Sequence, residues 1–507
     1  MQRSRLSVLA LVGLLLLSGC AVPGSPDRFD TSRELGHVGG YAHDDTFSFD
    51  GEETLTESQL EAVKYRSMAR IEVVRGQKFE RDVDLEVISR SEYRSQRSGS
   101  ESASAFTNEL WRGSFVVDGE TDVNEAMDDL YGSSVQGYYV DDRIVVIADD
   151  ADEIRIDRET LVHELVHALQ DQRFGLERDG ETIDERRAEL GLIEGEANYV
   201  PHRYAERCGD EWQCLPVTPA APSEVGAERP FNVGLFLSIY APYAEGPSFV
   251  EALSERGGWA AVDDAHDEYP PSTSQVIHPD RYPDDRPVDV DVPDRSSDEW
   301  DPITADGEVR TETVGEATLF GALWANGVVE RSITEGATEL SPYNYSHPAT
   351  DGWAGDSFTA YRDAGGERTG HVWRLAWESD ADAEEFATAY RTLLEGRGAE
   401  SVDAGSDTYR IPNGDPFEGA YRVTVDGDTV TIVGAPTVDD LEAVHAPRVN
   451  APTASTLSDV PTAATAPAAP SEPVATAAPP APLRAGAATA STPTPSPAPA
   501  ATASADE

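Results

Sequence analysis

The sequence predicts an α+β protein. A mainly helical unit carries a small upstream β-hairpin, a second α+β unit follows, and the chain ends in a disordered tail rich in Ala, Pro and Thr. Three observations predict this. Apolar residues recur at helical spacing in several stretches between residues 58 and 253. Two pairs of apolar, strand-like runs flank short turns, at Asp141-Asp142 and Asp426-Gly427. The texture then changes twice, to the acidic, Pro-rich PDDRPVDVDVPDRSSDEWDP near residue 300 and to APTASTLSDVPTAATAPAAP beyond about Asn450. A chain of 507 residues exceeds one ordinary domain. The boundaries give units at 51–300 and 306–447, a linker at 21–50 and a tail at 448–507. Too little bulky apolar surface remains in that tail to offset the entropy of ordering it.

The first element is an export signal. MQRSR supplies Arg3 and Arg5, and LSVLALVGLLLL is an apolar run too short to span a bilayer comfortably. It ends in LSGC, which resembles the lipobox of secreted lipoproteins. That resemblance implies a signal peptide over residues 1–20, lipidation of Cys20, and anchorage to the outer face of the cytoplasmic membrane. The Gly-, Asp- and Ser-rich linker follows. SQLEAVKYRSMA suits an amphipathic helix, and IEVVRG and DLEVIS suit short strands. VNEAMDDLYG suits a helix that stops at Gly132, and VQGYYV with RIVVIA forms the hairpin over 135–147. Asp157 is the N-cap of a helix ended by Gly175. A second helix, DERRAELGLIEGEANYV, runs to Pro201, which ends or kinks it. A third covers GLFLSIYAPYAEGPSFVEAL, with Gly246 placed for close packing. In an exported chain Cys208 and Cys214 pair as a small disulfide loop, since no second cysteine pair exists to complete a four-thiolate metal site. In the second unit HVWRLAW suits a strand, DAEEFATAYRTLLE a helix and YRVTVDGDTVTIVG a hairpin. Asn344-Tyr345-Ser346 is an N-glycosylation sequon.

Charge narrows the function. Acidic residues number 94 against 39 basic, a formal net charge of -55, and the only lysines are Lys64 and Lys78. An excess spread over the whole chain describes a surface built for strong salt, where self-repulsion is screened. It disfavours nucleic-acid binding, because phosphate neutralisation needs a basic face.

Residues 161–171, LVHELVHALQD, carry the chemistry. His163 and His167 lie one turn apart, a spacing that lets both rings reach one ion. Glu164 between them stands near that ion without binding it and is placed to take a proton from a metal-bound water. An ordinary amphipathic helix bearing two histidines has the same local pattern, so a third ligand is the discriminating feature. IEGEANY offers Glu194, beside a glycine that permits close backbone approach, and Glu196, which points to another side of its helix.

HELVHALQD followed by EGEANY resembles the gluzincins, zinc metallopeptidases with two histidines and a downstream glutamate as ligands. The resemblance implies a zincin-like core, a Zn2+ cofactor, Glu194 rather than Glu196 as third ligand, Tyr199 near the site, and Asp171 supporting it from outside the ligand set. Asn198 stands where thermolysin-like enzymes carry an aspartate, which leaves one histidine without an assigned partner. HELVHAL, PPSTSQVIHPDRYP and DGWAGDSF are also similar to segments of surface lipoproteins of haloarchaea and bacteria. His278, in IHPDRY, is a second candidate beside Tyr199 for a proton donor or oxyanion stabiliser opposite Glu164. The expected activity is peptide hydrolysis at the cell surface, with the 135–147 hairpin offering an edge strand to a peptide or protein substrate. Two rivals stand beside it. One is a non-catalytic envelope protein with a structural metal, signalled by a fourth protein ligand such as His202 or Asp171. The other is a zinc amidase or esterase.

Overall fold

The computed structural model describes residues 29–49, 54–97, 101–134, 137–140, 142–148, 157–215, 232–403, 407–447 and 476–477. The export signal, Cys20 and nearly all of the tail lie outside the described residues. The fold is mixed α+β, with helices around one small sheet and one large one.

A two-stranded ribbon, β1 (His37–Val38) and β2 (Tyr41–Ala42), precedes α1 (Glu57–Arg75). Thr56 and Gln59 close a capping box at the start of α1, and Gly76 ends it in the left-handed conformation. The helix therefore continues through IEVVR, which β propensity assigns to a strand. Ile71 and Val74 are buried in the core, and that burial outweighs the small helical penalty of β-branched residues. β3 (Asp84–Ser89) matches DLEVIS, and α2 (Arg90–Arg97), α3 (Ala105–Gly113) and α4 (Val123–Ser134) follow. The expected hairpin is β4 (Gly137–Val140) with β5 (Arg143–Ala148), turning at Asp142, whose φ of 59° is left-handed. β3 pairs with β5 in parallel, so Ile144–Ile147 are covered on both faces and form a continuous apolar run.

Next come α5 (Arg158–Arg173), α6 (Ile183–Ala205), α7 (Val233–Gly257), α8 (Trp259–Asp267) and α9 (Thr273–Ile277). Asp157 caps α5 by accepting from the Thr160 amide, and Gly175 beyond its end has φ +77°. α6 does not stop at Pro201 but runs one more turn to Ala205. Its packing against neighbouring helices outweighs the one lost backbone bond. α6 and α7 cross on glycine. A Cβ on Gly195 would lie 2.4 Å from the Gly246 carbonyl oxygen, and one on Gly246 would lie 2.3 Å from that of Gly191. The Cys208–Cys214 disulfide closes the loop after α6.

The second half begins with β6 (Trp300–Pro302), β7 (Thr304–Ala305), β8 (Glu308–Val309) and β9 (Thr311–Glu312). α10 (Glu316–Ala325) and α11 (Pro348–Asp351) lead into β10 (Trp353–Asp363) and β11 (Thr369–Trp377). After α12 (Asp380–Gly396) come β12 (Glu400–Ser401), β13 (Thr408–Ile411), β14 (Gly419–Asp426), β15 (Thr429–Ala435) and α13 (Val438–Val444). The eight-stranded sheet has the order β12-β13-β14-β15-β11-β10-β6, with β9 also paired to β10, and every pairing is antiparallel. Residues 300–306 mark a change of texture but not of packing. Phe106 and Leu110 of α3, Leu235 and Tyr240 of α7, Phe320 of α10, and Trp373 and Ile432 of the large sheet share one apolar cluster. A final strand, β16 (Thr476–Ala477), joins the small sheet beside β4, giving the order β16-β4-β5-β3.

The α6–α7 crossing is a stability determinant. Gly246→Ala is expected to destabilise the protein by about 2–3 kcal/mol, because the added methyl meets main-chain atoms that cannot rotate away. Denaturant unfolding of the variant measures it, and an unchanged midpoint would refute the close crossing.

Candidate metal centre

α5 presents both histidines inward, and α6 returns beside it. His163 Nε2 and His167 Nε2 stand 3.1 Å apart, and each lies 3.3 Å from Glu194 Oε2. All three residues are buried, and they form a group able to hold a metal ion. The spacing fits such an ion closely. Donor atoms about 2.0–2.2 Å from a tetrahedral zinc are about 3.3–3.5 Å from one another.

The tautomer of His167 strengthens the fit. Gln170 donates its amide nitrogen to the Ile193 carbonyl and to Glu196 Oε2, both at 2.9 Å. Its Oε1 is therefore an acceptor, and His167 Nδ1 donates to it at 2.9 Å. In the neutral ring that leaves Nε2 as a bare lone pair, facing another imidazole nitrogen and a carboxylate oxygen. A cation resolves that confrontation. Glu194 Oε2 makes no hydrogen bond of normal geometry. Tyr243 of α7 donates its hydroxyl to the other carboxylate oxygen, Oε1, at 3.0 Å, which leaves Oε2 for the histidines.

Electrostatics follow from burial and charge. Burial alone would raise the Glu194 pKa, but the neighbouring His167 and His163 bring it down to about 2. Burial opposes charge on His167, yet Glu194 raises its pKa to about 9. Burial keeps His163 below its ordinary value despite the same carboxylate. Glu164 is fully buried, neither of its oxygens has a hydrogen-bond partner, and burial lifts its pKa to about 8. A Cβ on Gly137 of β4 would lie 3.4 Å from Glu164 Oε1, so this strand runs within van der Waals reach of the carboxylate.

Glu196 is not part of the ligand group. It accepts from Arg75 of α1, from His266 of α8 at 2.7 Å and from Gln170. Burial opposes its charge, but Arg75 and His266 hold its pKa below the usual carboxylate range. The His167 ring is thus tied to α1 and α8 through Gln170 and Glu196. Gln170 was legible as the residue three after His167, whereas Tyr243, Arg75 and His266 have no local signal.

Three expected roles are redistributed. Asp171 does not support the histidines; it accepts from Tyr139 of β4 at 2.7 Å and lies 3.7 Å from Arg81, at a partly exposed rim. Tyr199 follows Glu194 by five residues, about 140° around the helix, and packs instead in the apolar cluster of α6, α7 and α8 with its ring against Trp259. His278 bonds Glu316 at 2.8 Å and stands 3.6 Å from Asp351, so its proton is committed there. Arg281, 3.8 Å from Glu316 Oε2, already supplies positive charge to that second cluster. Neither His202 nor Asp171 joins the metal group, which has three members among the described residues.

Asn198 spends its amide on the Glu194 carbonyl of its own helix. Among the described residues no side chain takes the corresponding place at His163. Pro201 has no N–H, so the Ala197 carbonyl four residues earlier loses its helical donor. His163 Nδ1 makes no hydrogen bond within normal geometry elsewhere, and the Ala197 main chain lies close enough to favour the protonated ring.

The family model of a domain of unknown function (DUF8575) matches residues 302–445. That span covers the large-sheet half of the chain and none of the helices that build the metal group. No curated protein and no solved structure matches the chain.

Two substitutions separate the neighbouring glutamates. Glu194→Ala is expected to abolish stoichiometric zinc uptake, whereas Glu196→Ala leaves Arg75 with Asp263 as its one carboxylate partner, takes the carboxylate from His266, and is expected to lower stability by about 3 kcal/mol. Metal analysis beside a thermal melt distinguishes them, and zinc lost only in Glu196→Ala would reverse the assignment. Pro201→Ala restores a donor to the Ala197 carbonyl and is expected to weaken zinc binding roughly tenfold without loss of apo stability. Competition against a chromophoric chelator reads this, and an unchanged affinity would remove that carbonyl from the site.

Proposed function

We propose that this chain is a gluzincin-like zinc metallopeptidase. His163, His167 and Glu194 would hold the ion. The single observation that carries the reading is the meeting of three metal-donor atoms at ligand spacing beside the unpartnered buried carboxylate of Glu164. Zinc in such a site supplies a Lewis acid and lowers the pKa of a bound water toward 7.

The residues of the chain supply the rest. Gln170 orients the His167 ring so that its Nε2 faces inward, and the Ala197 main chain lies beside His163. Tyr243 holds Glu194 in place. Glu164 accepts the proton of the attacking water as its oxygen bonds to the peptide carbonyl carbon. It then returns that proton to the amine as the C–N bond breaks. A buried base with a pKa pushed toward neutral is suited to both transfers. β4 lies alongside α5, with Gly137 against Glu164 and Tyr139 bonded to Asp171, and offers main-chain groups to an extended peptide.

The setting is part of the proposal. The lipobox at Cys20 points to a lipid-anchored protein at the outer face of the membrane, and the acidic surface to a salt-rich medium. Among the described residues no helix is long and apolar enough to cross a membrane.

Glu164→Gln keeps the shape of the base and removes its proton affinity. Its kcat/KM on a peptide library is expected to fall by about 10³-fold or more with zinc content unchanged. Equal hydrolysis by the two proteins would sink the peptidase reading.

A further inference from the structure

The exposed edge of the small sheet has an occupant. β16, residues Thr476–Ala477 of the C-terminal tail, pairs antiparallel with β4, Thr476 opposite Tyr139 and Ala477 opposite Tyr138. β4 is the strand whose Gly137 stands against Glu164 and whose Tyr139 binds Asp171 at the far end of the same helix.

We infer that the C-terminal tail is an intramolecular ligand of the β4 edge, lying where a peptide substrate would lie and competing with it. The inference rests on the peptidase reading for its consequence, though not for the contact itself.

The sequence of the segment fits this role. Pro473 and Pro479 flank Thr476–Ala477 in the sequence, and proline gives no N–H to a ladder. Val474 and Thr476 are β-branched, which favours extended backbone. No charge occurs between Glu472 and Arg484, so the segment can approach a body of high negative charge without repulsion. Small side chains flanking the pair let main-chain hydrogen bonds carry the contact. Residues 445–475 join α13 to β16 and reach at most about 100 Å, so the tether does not limit access. A tethered segment acts at an effective concentration around the millimolar range, enough to compete although a two-residue ladder is weak.

The test uses the full chain beside a full-length Thr476→Pro/Ala477→Pro variant, which cannot donate to the ladder. Hydrogen–deuterium exchange of residues 137–140 is read first. Protection in the parent and its loss in the variant are expected, and equal exchange overturns the contact. A fluorescent peptide of residues 471–480 is then titrated into both proteins in a Glu164→Gln background. Binding to the variant about tenfold tighter than to the parent is expected, and equal affinities overturn the competition. Protection that rises with protein concentration would assign the segment to a second copy and overturn the intramolecular form. Neither readout needs turnover, so a positive result with no peptide hydrolysis would retain the tail contact and remove only the peptidase reading.

Discussion

Two carboxylates carried into the core by one helix govern the arrangement of this half of the protein. Glu194 and Glu196 lie two residues apart on α6, and both are buried. Desolvation of each charge is too costly to leave uncompensated. Their side chains leave the helix in different directions, so two sets of partners must be assembled at once. Glu194 draws in the two histidines of α5 and Tyr243 of α7. Glu196 draws in Arg75 of α1, His266 of α8 and Gln170 of α5. Four helices are positioned by these two groups. The residue between them, Gly195, has no side chain and lets α7 approach to backbone contact. That approach is what brings Tyr243 within reach of Glu194.

Close packing also shapes the surroundings of Glu164. β4 runs beside it at Gly137, and both carboxylate oxygens are buried without a hydrogen-bond partner. The strand beside Glu164 is also the edge on which β16 lies. Helices and large sheet are joined beneath this site by a common apolar cluster in which α3 and α7 contribute to both. Residues 302–445, which match a domain of unknown function, thus share a core with α7, the helix that carries Tyr243.

Much of this was legible locally. The capped α5, the β4–β5 hairpin, β3 and the β14–β15 hairpin each carry a short-range signal, in a cap, a turn or a strand of β-branched residues. The histidine pair was legible because a helix of 3.6 residues per turn places positions i and i+4 on one face. Strand propensity failed at Ile71–Val74 because burial decided the state of that segment. Of the two outcomes expected at Pro201, an end or a kink, the helix does not end there, because the cost of one missing hydrogen bond is small beside the packing of a long helix. Asp171 was drawn toward the site by the gluzincin resemblance and His278 by its residue type, while the fold gave each a nearer partner, Tyr139 and Glu316.

The sequence by itself determined the helix that carries the histidine pair, the glutamate between them and a short choice of third donors, since these depend on spacing within one or two helices. Only the tertiary structure decided between Glu194 and Glu196, because that choice depends on where Arg75, His266 and Tyr243 stand, residues 49 to 121 positions away from the glutamate each contacts. The same holds for the orienting contacts of the two rings and for the tail strand on β4. Each joins groups remote in sequence, and no local periodicity records which buried charge will find which partner.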